Sequence, residues 1–279
     1  MSKLHSIYAW GSVGVIIFST LFILIFNSEN WQWLALLLLV VPLISSILFF
    51  GAKLPKLETP ERVTGAIKLL GRRDLWLCVL AIFLGGAAEC TMAQWCSGYI
   101  EGALGIPKIY GDLFGVALFS VMLGLGRTLY SKIGKNIGKV LFLGAVGSTL
   151  CYLIAAISPF AVVGLIACAL TGICVSMMWP GSLVVASEKF TSGGVFIYAM
   201  MAAGGDLGAS VGPQLVGIVS DTVPTLDFAN GLANWLGVSA EQLGMKTGIL
   251  VGLIFSLIGI FVYLHIWNTN KKKNKLNIN

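Results

Sequence analysis

The chain has 279 residues, and 57% of them are hydrophobic while only 11% are charged. Its formal net charge is +6 and its mean hydropathy is +0.90. Soluble domains carry roughly a quarter charged residues. This composition therefore excludes an ordinary water-soluble fold and indicates a membrane protein.

The hydrophobic residues are gathered in runs long enough to cross a bilayer, which takes about 20 apolar residues in a helix. Eight such runs predict an all-α polytopic membrane protein with eight transmembrane helices. No small-residue cleavage site follows the first run, and it is too long for the apolar region of a secretory signal, so it counts as a span. The predicted spans are 6–26, 32–50, 75–98, 111–130, 140–157, 160–180, 193–219 and 245–267.

The basic residues are sorted to one side of these spans. If the N-terminus is cytoplasmic, the inner segments and the helix end at Arg127 hold 16 of the 18 Lys and Arg residues, all except Lys108 and Lys246. Short cytoplasmic loops collect such residues. We therefore expect a multi-pass protein of the plasma membrane with both termini cytoplasmic. Because these cations are juxtamembrane, they indicate contact with the lipid bilayer, and nucleic-acid binding is not expected.

The longest inner connection divides the chain into unequal parts. We predict two transmembrane helices in 1–50, a cytoplasmic linker at 51–74, a six-helix bundle in 75–267 and a basic cytoplasmic tail at 268–279. Thr59 and Pro60 resemble a helix cap and first turn, which predicts a short helix on the membrane surface within the linker. An unstructured linker is the alternative.

The sequence gives no sign of a metal or cofactor site. All six cysteines fall inside predicted spans without a Cys-x-x-Cys pair, and His5 and His265 lie near helix ends. We therefore expect no metal, no cofactor and no disulfide framework.

Two acidic residues stand out because they lie deep inside predicted spans. Asp206 is 13 residues and Glu89 is 14 residues from the inner end of its span, so each lies about 20 Å into the membrane. A carboxylate there costs a few kcal/mol unless it faces a polar cavity or a partner. The sequence offers no Lys or Arg inside the membrane as a fixed partner. We therefore expect one midplane site at which either carboxyl could carry a proton.

The helix around Asp206 has two distinct sides. Small residues share the side of Asp206, whereas Gly204, Gly208 and Gly212 form a Gly-xxx-Gly-xxx-Gly ladder on the opposite side. Such a ladder lets another helix approach closely. We expect the ladder to pack and the Asp206 side to border a cavity.

A polar transport site has two alternatives. In the first, each acid is protonated or hydrogen-bonded and only joins helices. In the second, the two acids belong to an intramembrane aspartyl protease. The residues before Asp206 lack the Gly-x-Gly-Asp pattern of that family, and Ala88 rather than tyrosine precedes Glu89. An enzyme is therefore not expected.

The stretch GLGRTLYSKIGKNIGKV at 124–140 resembles the loop signature of the major facilitator superfamily of secondary transporters. Ser131 replaces the aspartate of that signature. The resemblance implies a cytoplasmic gate loop whose matching residues are Gly126, Arg127, Lys132, Gly134 and Lys135.

The order of the spans extends the resemblance over the whole chain. The last six spans are similar to the family's C-terminal bundle and the first two to its fifth and sixth helices, and residues 4–14 resemble the start of helix five in sugar-permease-like members. The first four helices of a twelve-helix member have no counterpart, so we expect an N-terminally truncated transporter. Alternatives are a non-transporting remnant or an interaction subunit.

The family resemblance implies secondary active transport of a small molecule, a sugar or another metabolite, by proton symport. In the family, two bundles rock about a shared midplane site. A second copy of the chain or a complementing chain would then supply the missing wall. Substrate or proton contacts are expected first at Asp206 and second at Glu89, with Trp179 and Tyr198 as weaker candidates.

Overall fold

The computed structural model describes residues 2–53, 68–191 and 194–276. Eight helical stretches within these ranges are long and apolar enough to cross a membrane. The described residues contain no β-strand. The predicted all-α architecture with eight spans is thus confirmed.

The helices follow the predicted order, with the fourth and sixth spans each built from more than one segment. The fourth span begins with a short helical turn, Lys108–Tyr110, followed by a π-helical segment, Gly111–Ala117, and a break at Ser176–Met177 divides the sixth span. The helices are α1 (Ser2–Phe26), α2 (Trp31–Gly51), α3 (Arg73–Gly102), α4 (Leu118–Ile133), α5 (Ile137–Ile157), α6 (Ala161–Val175), α7 (Met178–Lys189), α8 (Gly194–Thr222), α9 (Ala229–Leu236) and α10 (Ala240–Leu276).

Several helices run further than predicted on the side of the basic loops. The predicted spans end at residues 130, 180 and 267, whereas α4, α7 and α10 continue to Ile133, Lys189 and Leu276. Polar residues extend a helix beyond the apolar run by which a span is recognised. Asn136, with a left-handed φ of 57°, then starts α5 by accepting a hydrogen bond from the Lys139 amide. The helix expected in the linker falls largely on residues 54–67, outside the described ranges.

Helix α3 is the centre of the bundle and packs against α8, α10, α7 and α6. Two buried tyrosines fasten it by donating hydrogen bonds to its main chain. Tyr152 Oη donates to Ala88 O at 2.8 Å, and Tyr263 Oη donates to Ala81 O at 2.7 Å. The first of these bonds holds the backbone directly beside Glu89.

The glycine ladder of α8 packs against α3, as the sequence predicts. A Cβ atom at Gly204 would lie 2.7 Å from Val79 Cγ1, and one at Gly212 would lie 2.8 Å from Ala87 O. At Gly208, the added atom would collide with the main-chain oxygen of Phe83. The absence of side chains therefore brings the two backbones into contact.

The first two helices lie at the side of this bundle. Helix α1 packs on α4 and on the π-helical segment, whereas the main contacts of α2 are with α1 and the turn Ser28–Asn30. Leu34 is the buried residue of α2, and most of its other side chains are exposed. Both helices thus present wide exposed apolar surfaces.

Replacing Gly208 by alanine should destabilise the bundle, because the new methyl group has no room beside the Phe83 carbonyl. Overpacking of this kind costs about 1–3 kcal/mol. Gly98→Ala is the matched control, since Gly98 is exposed in α3 and nothing lies within 4 Å of its added Cβ. Thermal unfolding in detergent should show a lower melting temperature for Gly208→Ala alone. Equal behaviour of the two variants would contradict this packing.

Candidate functional site

Glu89 and Arg127 form a buried ion pair between α3 and α4. Arg127 Nη2 lies 2.7 Å from both Glu89 Oε1 and Oε2. The Arg127 side chain is only 2% exposed and that of Glu89 is 11% exposed. The attraction is strong at this depth because little water screens it, and the pair removes the net charge that either residue would bring into the membrane.

The expectation that Glu89 has no basic partner inside the membrane was wrong. Arg127 lies six residues before the end of α4 and not at its end. Helical side chains lean towards the N-terminus of their own helix, which in α4 is the end nearer the membrane centre. The long arginine side chain therefore reaches from a shallow backbone position to the deeper carboxylate. From its position in the sequence, Arg127 is recognised only as part of the loop signature.

The other nitrogens of Arg127 bind main-chain oxygens of two further segments. Nε donates to Ser176 O at 2.9 Å, and Nη1 donates to His5 O at 3.3 Å. Ser176 follows α6, and the residue four positions later is Pro180, which has no N–H to complete the usual helical hydrogen bond. The arginine supplies a donor to that carbonyl. One guanidinium thus joins α3, the α6–α7 break and α1.

Glu89 borders a cavity of about 610 Å³ between α1 and the bundle. Its polar lining includes Tyr8, Ser12, Cys90 and Ser120, and the remainder is mostly apolar. The Tyr8 ring also faces the Arg127 guanidinium, with 5.9 Å from Cζ to the ring centroid. The site therefore offers hydroxyl groups and an aromatic ring beside a neutralised ion pair.

A second cavity, of about 980 Å³, continues from the first. Both are lined by Val15, Ile16 and Val116, and the second extends to Glu29 and Lys108 at the end of α1. We refer to the two cavities together as the α1 crevice. It runs between α1 and the π-helical segment from Glu89 to the side of the protein opposite the basic loops.

Asp206 is exposed on α8 and does not line the α1 crevice. It is nevertheless close to Glu89, because Gly205 and Gly86 meet where α8 crosses α3. The structure thus places the two predicted acids on either side of one helix crossing, with only Glu89 in the cavity.

The predicted aromatic contacts lie on the Asp206 side. Trp179 is half-buried, and its ring packs against Gly86 and Gly205 at the helix crossing. Tyr198 is 39% exposed, two turns before Asp206 on α8. Trp179 therefore stabilises the crossing, and neither aromatic residue lines the cavity at Glu89.

The predicted gate-loop residues do not form one unit. Gly126, Arg127 and Lys132 belong to α4, whereas Gly134 and Lys135 lie in the connection to α5. Gly126 lets the α6–α7 break approach, since an added Cβ would collide with Ser176 Oγ. In the part of the chain that the structure describes, Arg127 is the one gate-loop residue that contacts Glu89.

Replacing Arg127 by methionine should strongly destabilise the protein, because it leaves the Glu89 carboxylate buried without its partner. Breaking a buried pair in this way costs about 3–5 kcal/mol. Arg72→Met is the control, because Arg72 pairs with Asp74 at 3.5 Å with both side chains about half exposed. Such a surface pair contributes at most about 1 kcal/mol. Thermal unfolding of both variants in detergent measures the difference, and equal losses would contradict the buried pair.

Comparison with known families agrees with this architecture. The family model of the Major Facilitator Superfamily matches residues 6–213, which are 208 of the 279 residues. No curated protein and no solved structure matches the chain. The match begins in α1 and continues through Glu89, Arg127 and Asp206 into α8. The chain is therefore a multi-pass membrane protein that belongs to the Major Facilitator Superfamily of transporters.

Proposed function

We propose that the chain is a secondary active transporter of a small solute, with its binding site beside Glu89. The observation that carries this proposal is the buried Glu89–Arg127 pair, whose glutamate lines a cavity of about 610 Å³. An ion pair is costly to bury, and intramembrane ionisable residues mark solute and proton pathways. A cavity of this size accommodates a metabolite-sized ligand.

The lining favours an uncharged polar solute such as a sugar. Arg127 neutralises Glu89, so the cavity has no excess charge to select an anion. The hydroxyl groups of Ser12, Ser120 and Tyr8 offer hydrogen bonds, and the Tyr8 ring offers an apolar face. A carboxylate whose partner can be displaced also suits proton symport. Glu89 is the first candidate for the coupling residue, and Asp206 is the second.

The exposed side of α8 carries polar residues, and this favours contact with a protein partner. Asp206, Ser210 and Gln214 follow at four-residue intervals, and all three are exposed. A carboxylate, a hydroxyl and an amide on one stripe are unfavourable against lipid. We propose that this stripe faces protein in the membrane, either a second copy of the chain or a separate chain that completes the pathway.

Transport should depend on both acids. In proteoliposomes, pooled sugars and other small metabolites should drive proton movement with the wild-type chain. Glu89→Gln and Asp206→Asn should each lower the coupled rate by more than about tenfold, which corresponds to about 1.4 kcal/mol in the barrier. The readouts are internal pH and uptake of labelled solute.

Asp221→Asn is the matched control for this experiment. Asp221 is exposed near the far end of α8, and its loss should leave the coupled rate unchanged. Uptake that survives both site variants would contradict the assigned residues. If folded wild-type protein gives neither proton movement nor solute uptake, that result would contradict transport by this chain alone. It would favour a non-transporting membrane subunit.

We also propose a plasma-membrane location with the basic loops in the cytoplasm. Lys108 and Lys135 are both exposed and lie at opposite ends of the fourth span. A membrane-impermeant amine reagent added to intact cells should label Lys108, whereas Lys135 should react only after permeabilisation. Peptide mass spectrometry measures both sites, and the reverse pattern would overturn the orientation.

A further inference from the structure

A third cavity, of about 520 Å³, opens at the side of the basic loops and shares no lining residue with the α1 crevice. Four segments enclose it: the first turns of α3, the connection between α4 and α5, the end of α7 and residues 265–269 of α10. We call this cavity the loop pocket. Its wall is mostly polar, and it lies apart from the proposed path of the solute.

Positive charge is in excess around the loop pocket. Lys135 is exposed on its wall and forms no ion pair within the described part of the chain. Lys189 Nζ lies 3.0 Å from Asp74 Oδ1, but Arg72 Nη2 lies 3.5 Å from Oδ2 of the same carboxylate, so two cations share one counter-charge. Glu188 is the one acidic residue among the described residues of the wall. The pocket is therefore suited to a ligand with a negative charge.

The start of α5 adds hydrogen-bond donors to the same wall. Ile137 and Gly138 belong to its first turn, both are buried, and both line the pocket. First-turn amides have no acceptor within their own helix. The Asn136 side chain accepts a hydrogen bond from the amide of Lys139, which leaves the two preceding amides for another acceptor. These N–H groups and the positive end of the helix dipole favour an anion next to Lys135.

Other parts of the wall supply hydrogen-bond acceptors. Glu188, on α7, is exposed and forms no ion pair within the described residues. Thr269 Oγ1 donates to His265 O at 2.9 Å, so the Thr269 hydroxyl can still accept a hydrogen bond from a ligand. Glu188 would repel a bare anion, because like charges at close range are unfavourable. The wall thus favours a ligand that carries a donor group as well as a negative charge.

We propose that the loop pocket binds a phosphate ester that also carries an amine or a hydroxyl group. The phosphate oxygens accept hydrogen bonds from Lys135 and from the first turn of α5, and the amine or hydroxyl group donates to Glu188. Helix N-termini and lysine side chains are common partners of phosphate groups in proteins. Small-molecule sites have volumes of about 300–1,000 Å³, and the loop pocket falls within this range.

Two sources carry this chemistry: a soluble phosphorylated metabolite and the headgroup of a phospholipid such as phosphatidylethanolamine. Either ligand would join α5, α7 and the connection before α5. Because it binds the folded protein only, it should raise the melting temperature. The proposal is independent of the proposed transport site, since no residue of the loop pocket lines the cavity at Glu89.

The first arm of the test uses a soluble probe and delipidated wild-type protein in detergent. Phosphoethanolamine should bind in isothermal titration calorimetry and raise the melting temperature, whereas ethanolamine, which has no phosphate, should do neither. Lys135→Ala should weaken the dissociation constant by about tenfold or more, because a charge-assisted hydrogen bond is lost. Lys132→Ala is the matched control, since Lys132 is exposed on α4 and does not line the pocket, and it should leave the dissociation constant unchanged.

Glu188→Gln tests the second contact with the same protein. The loss of the carboxylate should weaken the binding of phosphoethanolamine, whose amine loses its charged acceptor. It should strengthen the binding of inorganic phosphate, because a repelling negative charge is removed. A general change in surface charge would move both dissociation constants in the same direction, and that result would contradict the assigned contact.

The second arm identifies the source of the ligand. Phosphatidylethanolamine is added to the detergent-solubilised chain, and native mass spectrometry measures how much lipid each variant retains. Retention that is lost in Lys135→Ala and kept in Lys132→Ala would support a lipid headgroup as the ligand. Binding of the soluble probe with the same dependence on Lys135 would support a soluble metabolite. If neither the probe nor the lipid distinguishes Lys135→Ala from Lys132→Ala, the proposed site is overturned.

Discussion

The ion pair of Arg127 with Glu89 is the interaction on which the rest of the site depends. A bilayer gives a charged side chain no water, so each member of the pair is tolerable only while the other is present. The pair also has geometric consequences, because the remaining guanidinium N–H groups bind the α6–α7 break and α1. The packing of four segments is therefore linked to the charge of one carboxylate.

The bundle around this pair is closely packed on one side of α3 and open to a crevice on the other. Helix α3 is held by the glycine ladder of α8 and by two tyrosine hydroxyls, so the backbone at Glu89 is fixed. Helix α1 packs on α4 and on the π-helical segment and borders the α1 crevice along its second half. The carboxylate of the proposed binding site thus projects from a firmly held helix into an open crevice.

Hydrophobic runs and small-residue spacing predicted most of the fold. Eight apolar runs gave the number and order of spans, and the four-residue spacing of Gly204, Gly208 and Gly212 gave the face that packs on α3. The Glu89–Arg127 pairing was not predictable in the same way, because it depends on how α4 is rotated and how far it extends. Pro180 was the one local signal, since a proline leaves the carbonyl of Ser176 in need of another donor. The sequence indicates which side of each helix is polar. It does not indicate which neighbouring helix covers that side, because this depends on the tertiary packing.

The most direct test is a structure of the chain in a lipid bilayer at a resolution that resolves the Arg127 guanidinium. We predict that both Glu89 oxygens contact Nη2 and that Nη1 points to the His5 carbonyl, with α1 against Gly124. An Arg127 side chain that extends to the aqueous boundary, with Glu89 bound elsewhere or facing lipid, would contradict the account.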